Sequence, residues 1–253
     1  QGATGASMAS TVSAIVSSYN AEMWIAGRID NLLEQTLHAQ GRLEIVVVVA
    51  GSKQDEGRIV RDYWAAGAPI TLLTTLREPI YTSWNRGIRV ARGDYVTNAN
   101  TDDRLAPDAL ERMADALDAD PELDLVYADS YVTDTVNATW DNWHPSTAPP
   151  YTNARLTWPD YDPARLLQFC YMGPCPMWRK ALHTRVGLFD ESYQLAGDYE
   201  MWLRAAAKGA KMRKLDAVLS LFYYGGSTHQ NQALSDQEAR RALLKWRSHI
   251  ARH

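Results

Sequence analysis

The chain has 253 residues and a formal net charge of −4, with 46% hydrophobic and 22% charged residues, as in an ordinary globular protein. This balance gives no general attraction to nucleic acid or to an anionic membrane, and no apolar run is long enough to span a bilayer. The two cysteines, Cys170 and Cys175, lack the second pair of a zinc site, which leaves reduced thiols in a cytoplasmic protein or a disulfide.

Strands and helices alternate through the first half of the chain. After a small, non-periodic start over residues 1–10, which we expect to lie outside the fold, five strands are predicted at 12–16, 43–49, 70–73, 95–99 and 124–128. Helices with one apolar face lie between them, so the pattern predicts a mostly parallel sheet covered by helices on both faces. Right-handed crossovers then bring the strand-end turns with Ser18, Ser52 and Asp102 to one edge.

The second half of the chain is less regular. Residues 137–163 carry three tryptophans and five prolines without a clear period, which predicts an ordered flap. Residues 169–178 are too rich in proline for a central strand or a helix. A short helix near 179–185, a helix beginning at Gly197, a strand over 218–224 and a last helix opened by a capping box at 235–238 are predicted to follow.

Two adjacent carboxylates, Asp102 and Asp103, come directly after the predicted strand 95–99. In an open α/β sheet, ligands bind at the edge formed by the carboxyl ends of the strands. Hard oxygen donors at this edge suit Mg²⁺ or Mn²⁺ held against a diphosphate. A pair of aspartates before a helix also commonly caps that helix, so the residues alone leave both interpretations open.

Four stretches, taken in order, carry a resemblance to a known family. They are 13–20, 44–52, the run from Asn85-Arg86-Gly87 to Asn100-Thr101-Asp102-Asp103, and 186–191 followed by Gly197-Asp198-Tyr199-Glu200. Together they resemble the inverting glycosyltransferases of the GT-A fold, family 2, over about 12–224. The resemblance implies a single GT-A domain over 11–253, with a Rossmann-like, mostly parallel sheet. Its parts are a nucleotide-sugar half at 11–133, an acceptor and catalytic half with the flap at 134–230, and a C-terminal helix at 231–253.

The resemblance also assigns roles to individual residues. Asp102 matches the metal-binding acid of the family's D-x-D motif, and Asp198 matches the general base, although its position also suits a helix cap. His229 is a further metal candidate, with a solvated surface residue as the alternative. Donor-site residues implied in this way are Ser17, Ser18, Tyr19, Gly51, Ser52, Asn85, Arg86, Asn100, Thr101 and Asp103.

Acceptor recognition and the nucleotide base are less specified. On the acceptor side, Trp158 and Trp178 are candidates for stacking on sugars, with core packing as the alternative, and Glu200 is a polar candidate. Family members usually carry an acid after the second strand that contacts uracil, whereas Val49-Ala50-Gly51-Ser52 contains none. We expect a UDP-sugar as donor despite this departure.

The expected function is therefore metal-dependent, inverting transfer of a sugar from a nucleotide-diphosphate donor to a hydroxyl of a glycan or another acceptor. Two alternatives remain. A sugar nucleotidyltransferase should show a glycine-rich, basic loop after the first strand, which Ser17-Ser18-Tyr19-Asn20 lacks. A catalytically silent relative that binds glycan or protein would need neither Asp102 nor Asp198. The chain is also compatible with a module of a longer polypeptide.

Overall fold

The computed structural model describes residues 9–147, 154–225 and 231–250. Within these ranges, nine strands join one mixed sheet. The strands are β1 (Val12–Ser18), β2 (Leu43–Ala50), β3 (Ile70–Thr75), β4 (Tyr95–Asn98), β5 (Arg104–Leu105), β6 (Leu125–Thr133), β7 (Arg155–Leu156), β8 (Met177–Arg179) and β9 (Met212–Tyr223). The helices are α1 (Glu22–Leu33), α2 (Thr36–Ala39), α3 (Glu56–Ala65), α4 (Ile80–Val90), α5 (Ala109–Ala119), α6 (Pro163–Leu166), α7 (Leu182–Val186), α8 (Gly197–Ala207) and α9 (Gln232–Ile250).

The sheet follows the order β3-β2-β1-β4-β8-β6-β9-β5, with β7 paired to β6. The pairings among β1 to β4 are all parallel, as predicted from the alternation of strands and helices. Beyond β4 the sheet becomes mixed: β8 runs antiparallel to both of its neighbours, whereas β6 and β9 are parallel. The expectation of a mostly parallel sheet thus holds for the first half of the chain.

Strand β8 departs from the sequence-based prediction. It lies in the middle of the sheet, where Trp178 faces Val96 of β4 and Leu125 of β6. The exclusion of residues 169–178 from a central strand was wrong at its last two positions. Pro174 and Pro176 both precede the strand, so no ladder hydrogen bond is lost to them.

Two apolar clusters cover the two faces of the sheet. Alternate residues of β1 point to opposite faces, so Ala14 joins the cluster that contains α1 and α5, whereas Ile15 joins the cluster that contains α4, α8 and α9. The two cysteines are free thiols, and Cys175 is buried in the first cluster. Of the predicted flap, the described parts include β7 against β6 and an isolated bridge between Thr133 and Pro145.

Helix α9 packs on α8 and completes the second cluster with Ala242 and Ile250. Among the helices that the structure describes, none combines the length and the apolarity that crossing a membrane requires.

Candidate active site

A cleft of about 770 Å³ lies at the carboxyl ends of β1 and β4. Four stretches far apart in sequence supply most of its walls. Three of them follow parallel strands, whose crossovers bring strand-end loops to one edge, and the fourth leads into α8. These stretches are the end of β1 with Ser17 and Tyr19, residues 77–84 leading into α4, the turn 100–103 after β4, and residues 191–198. The cleft is therefore lined both by Asp102, which the shared-edge argument placed at this edge, and by Asp198, which the resemblance alone had singled out.

The turn that follows β4 is held in place by hydrogen bonds to buried groups. Asp103 is 1% exposed, and its carboxylate accepts hydrogen bonds from the backbone N–H of Tyr223, at 3.0 Å, and from Asn100 Nδ2, at 3.4 Å. Two buried guanidinium groups, of Arg28 and Arg104, donate to the carbonyl oxygen of Asp103 at 2.6 and 2.7 Å. These bonds hold the backbone of the turn while Asp102, half-buried, faces the cleft.

Burial raises the pKa of both carboxyl groups in this turn above their usual range, and the charge of Asp102 raises that of Asp103 further. The oxygen atoms of Asp102 and Asn100, which both line the cleft, are donors of the kind that Mg²⁺ and Mn²⁺ prefer. The described residues contain no group of three or more acidic, histidine or cysteine side chains that would hold a metal by itself. The two oxygen-bearing side chains of Asp102 and Asn100 would leave positions on a divalent cation for other ligands. His229 lies outside the described residues.

Asp198 lies in the first turn of α8. Its Oδ1 accepts the backbone N–H of Tyr199 at 2.8 Å and lies 3.3 Å from the Tyr81 hydroxyl, which is also 2.9 Å from the carbonyl oxygen of Leu195. Burial raises the pKa of Asp198, and the hydrogen bonds from Tyr199 and Tyr81 partly offset this rise. A carboxylate with a raised pKa in a cleft is suited to accept a proton at neutral pH.

Several cleft residues were missed by the sequence reasoning. The guanidinium of Arg77 lies over the ring of Tyr19, with its Cζ 3.7 Å from the ring centroid, which is cation–π geometry. The signal was present, because residues 76–79 follow β3 and so belong to the same edge as the other strand-end turns. The other missed cleft residues with a polar side-chain atom are Glu78, Tyr81, Trp84, Glu191, Ser192 and Gln194.

Three predicted donor residues support the strand-end loops from behind the cleft wall. Glu56, fully buried at the start of α3, accepts hydrogen bonds from Ser18 Oγ at 3.4 Å and from Ser52 Oγ at 2.6 Å. It thereby ties the end of β1 to the end of β2. Gly51 has a φ of +64°, and a Cβ there would lie 2.3 Å from the backbone nitrogen of Arg77. Any side chain at this position would displace the loop that carries Arg77.

The side chains of Asn85 and Arg86 each donate a hydrogen bond to a glutamate that lines the cleft. Asn85 is 1% exposed, and its Nδ2 donates to Glu191 Oε1 at 2.9 Å and to the carbonyl oxygen of Phe189 at 2.9 Å. Arg86 Nε donates to both carboxylate oxygens of Glu78, at 3.0 and 2.8 Å. Both side chains were expected to touch the donor. The structure instead places them behind Glu191 and Glu78, which line the cleft.

The three predicted acceptor-side residues do not line the cleft either. Trp178 is 1% exposed in β8, and its Nε1 lies 2.9 Å from His183 Nε2, so its ring faces have no room for a sugar. Trp158 packs against the second cluster and lies close to the backbone of Gly173, where an added Cβ would be 3.2 Å from Trp158 Nε1. Glu200 is 0% exposed and pairs with Arg204 at 2.7 Å. For all three, the structure favours packing over acceptor binding.

The amino-acid sequence is similar to those of known glycosyltransferases. Residues 13–182, more than half of the chain, match the family model described as glycosyl transferase family 2. The uncharacterized glycosyltransferase EpsJ of Bacillus subtilis is 28% identical over 83% of this chain and 60% of its own length. A chondroitin synthase of Escherichia coli is 25% identical over 78% of this chain and 27% of its own length. The chain thus spans from about a quarter to 60% of the length of these relatives.

Solved structures show the same fold. TarS 1-349 of S. aureus, in complex with UDP, is 19% identical with a TM-score of 0.66, over 92% of this chain and 64% of that one. The mannosyltransferase PcManGT of Pyrobaculum calidifontis, in complex with GDP-Man and Mn²⁺, is 20% identical with a TM-score of 0.70, over 93% of this chain and 64% of that one. The mixed α/β architecture of the present chain is the GT-A fold of these proteins.

Proposed function

The chain belongs to glycosyl transferase family 2, and from that premise we propose a metal-dependent, inverting transfer of a sugar from a nucleoside diphosphate to an acceptor hydroxyl. One observation carries the proposal: Asp102, in the turn after β4, and Asp198, in the first turn of α8, line the same cleft. A diphosphate held at Asp102 and a hydroxyl held at Asp198 would then meet across the space between them. Positioning of this kind supplies much of the rate of a two-substrate reaction.

In the proposed reaction, the acceptor oxygen forms a bond to the anomeric carbon while the bond from that carbon to the diphosphate breaks. Asp198 takes the hydroxyl proton, and the nucleoside diphosphate leaves with the bonding electron pair. A single displacement of this kind inverts the configuration at the anomeric carbon. The Tyr81 hydroxyl, 3.3 Å from Asp198 Oδ1, would orient the carboxylate toward the cleft.

Asp102, with Asn100 beside it, is the residue that we propose to hold Mn²⁺ or Mg²⁺. A divalent cation there offsets the charge that develops on the departing diphosphate. The remaining charge compensation would come from Arg77, which lines the same cleft. The structural relatives with UDP or with GDP-Man and Mn²⁺ support a nucleotide-diphosphate ligand of this kind.

The base of the donor nucleotide would contact the end of β1. Tyr19 offers an aromatic face on which a nucleotide base can stack, already covered on one side by Arg77. Family members usually carry an acid in the turn directly after β2. Among the described residues, that turn contributes no acid to the lining of the cleft. We propose UDP as the nucleotide, recognised through Tyr19, Ser17 and backbone groups of this edge. The acceptor would be a glycan or another hydroxyl compound.

The decisive experiment substitutes Asp198 by Asn. The amide cannot accept the proton, so we expect transfer to fall by about 10²–10⁴-fold, whereas calorimetric binding of UDP with Mn²⁺ should stay within about twofold, a change of roughly 0.4 kcal/mol. Asp62→Asn is the matched control, because Asp62 lies on α3 outside the cleft with a side chain that is 68% exposed. Turnover by the Asp198→Asn enzyme at the control's rate would remove Asp198 as the base. A wild-type chain that binds UDP but transfers no sugar would favour a silent binding module.

A further inference from the structure

Helix α9 reaches the loop that precedes Asp198 through one carboxylate. Glu238 Oε1 accepts the backbone N–H of Gln194 at 2.8 Å, and its Oε2 accepts those of Leu195 and Ala196 at 2.8 and 2.9 Å. The side chain thus satisfies three consecutive amides at the entrance to α8, which begins one residue after Ala196. An anionic acceptor is favoured at the positive end of a helix.

This contact differs from an ordinary surface cap. Glu238 is 5% exposed and comes from a helix about 40 residues downstream of the amides that it holds. Gln194 and Leu195 themselves line the cleft, and Asp198 follows two residues after Ala196. Both Glu238 and Asp198 lie beyond residues 13–182, the part of the chain that the family model covers.

We propose that Glu238 is a positioning residue for the transfer reaction, which holds the segment 194–198 from α9 so that Asp198 faces the acceptor hydroxyl. This inference rests on the proposed function, because it takes Asp198 as the base. Glu238 does not touch the substrates in this assignment. It acts through the backbone of the segment that carries the base and through its charge.

The charge of Glu238 has a second consequence. Asp198 is faced by the Tyr81 hydroxyl from α4, by the Cys170 thiol from the segment before β8, and by Glu238 from α9, with Glu191 and Arg77 elsewhere in the same cleft. Burial is the main cause that raises the pKa of Asp198, and the negative charge of Glu238 raises that pKa slightly further. Removing that charge should lower the pKa of Asp198, so that the base is ionised at lower pH.

Two substitutions separate position from charge. In Glu238→Gln, a single amide oxygen replaces two carboxylate oxygens and the NH₂ group meets an N–H donor, so at most two of the three amides keep an acceptor. We expect kcat to fall by about ten- to a hundredfold, and the acid limb of the kcat profile to move to lower pH. In Glu238→Asp, the charge remains but the shorter side chain cannot reach all three amides. For this variant kcat should fall while the acid limb moves less than in Glu238→Gln.

The matched control is Asp236→Asn, the same change of carboxylate to amide on an exposed position of α9. Hydrogen exchange of the amides 194–198, followed by mass spectrometry, provides a readout that needs no turnover. Faster exchange in Glu238→Gln than in Asp236→Asn is expected. Exchange, kcat and acid limb all equal to the control would overturn the role of Glu238. A failure of the proposed function is distinguished from this outcome by a separate result, namely turnover by the Asp198→Asn enzyme, which would remove Asp198 as the base.

Discussion

Asp102 and Asp103 are neighbours in one turn, yet their surroundings give them different tasks. Both line the cleft, but Asp103 is 1% exposed and accepts the backbone N–H of Tyr223, whereas Asp102 is only half-buried. We predict that Asp102→Ala weakens Mn²⁺-dependent binding of UDP by at least about tenfold, or 1.4 kcal/mol, with little loss of stability. Asp103→Ala should instead lower the free energy of unfolding by about 1–3 kcal/mol, because a buried donor loses its acceptor.

Calorimetric titration of UDP with and without Mn²⁺, together with denaturant unfolding, measures both effects on the same variants. Unchanged Mn²⁺ dependence in Asp102→Ala would unseat that residue as the metal ligand. Equal loss of stability in the two variants would contradict the assignment of Asp103 as the support of the turn.

A buried anion on α8 links this helix to α9. Glu200, which is 0% exposed, accepts hydrogen bonds from Arg204 Nη2 at 2.7 Å and from Trp246 Nε1 at 2.8 Å, with Lys245 Nζ at 3.3 Å. Glu200→Ala removes the carboxylate partner of the buried Arg204 guanidinium, which keeps the carbonyl oxygens of Val186 and Leu188 as acceptors. We therefore predict a loss of about 3–5 kcal/mol in the free energy of unfolding. Because Glu238 depends on the placement of α9, transfer should fall as well.

Glu122→Ala is the control for this substitution, since Glu122 forms an exposed ion pair with Lys211 at 73% and 61% side-chain exposure. Salt screens such pairs, and no measurable loss of stability is expected there. Urea unfolding of both variants makes the comparison. A stability of Glu200→Ala equal to that of the control would show that α9 docks through its apolar face alone.

The elements differ in how far the sequence could predict them. The β-branched run of β2 and the helical spacing of α1 encode their structure locally, so the strand at 43–49 and a helix before it were both predicted. The strand β8 was missed because only three residues form it, and its pairing partners Val96 and Leu125 lie more than 50 positions earlier. Burial of Trp178 in that strand, against the expectation of an exposed stacking platform, follows from the same long-range pairing.

The candidate site shows the same limit. Motif resemblance brought Asp102 and Asp198 to notice, and the strand-edge argument explains why Asp102 lies in the cleft. The partner of Asn85 lies 106 positions away at Glu191, and Glu238 reaches amides more than 40 positions before it. Local spacing carries no information about such contacts, so residues that support the cleft were assigned to the donor itself.

At the scale of the whole molecule, the cleft is lined by segments that are spread along the chain, from Ser17 on β1 to Phe222 on β9. A ligand that contacts several of these segments binds only the folded state, and its binding free energy adds to stability. At about one hundred times its dissociation constant, such a ligand stabilises the fold by roughly 2.7 kcal/mol. For a chain of this size, about 2–4 °C per kcal/mol converts this to a rise in Tm of about 5–11 °C.

We predict that UDP raises Tm by this amount only with Mn²⁺, and that GDP, CDP and dTDP raise it less at equal concentration. Thermal unfolding of the wild-type chain with each nucleotide, with and without metal, makes the measurement. The Asp198→Asn variant should show the full shift, since its nucleotide contacts are intact, whereas Asp102→Ala should show little. A rise that is equal with and without Mn²⁺ would contradict a metal bridge between Asp102 and the diphosphate. A larger rise with another nucleotide would reassign the base that stacks on Tyr19.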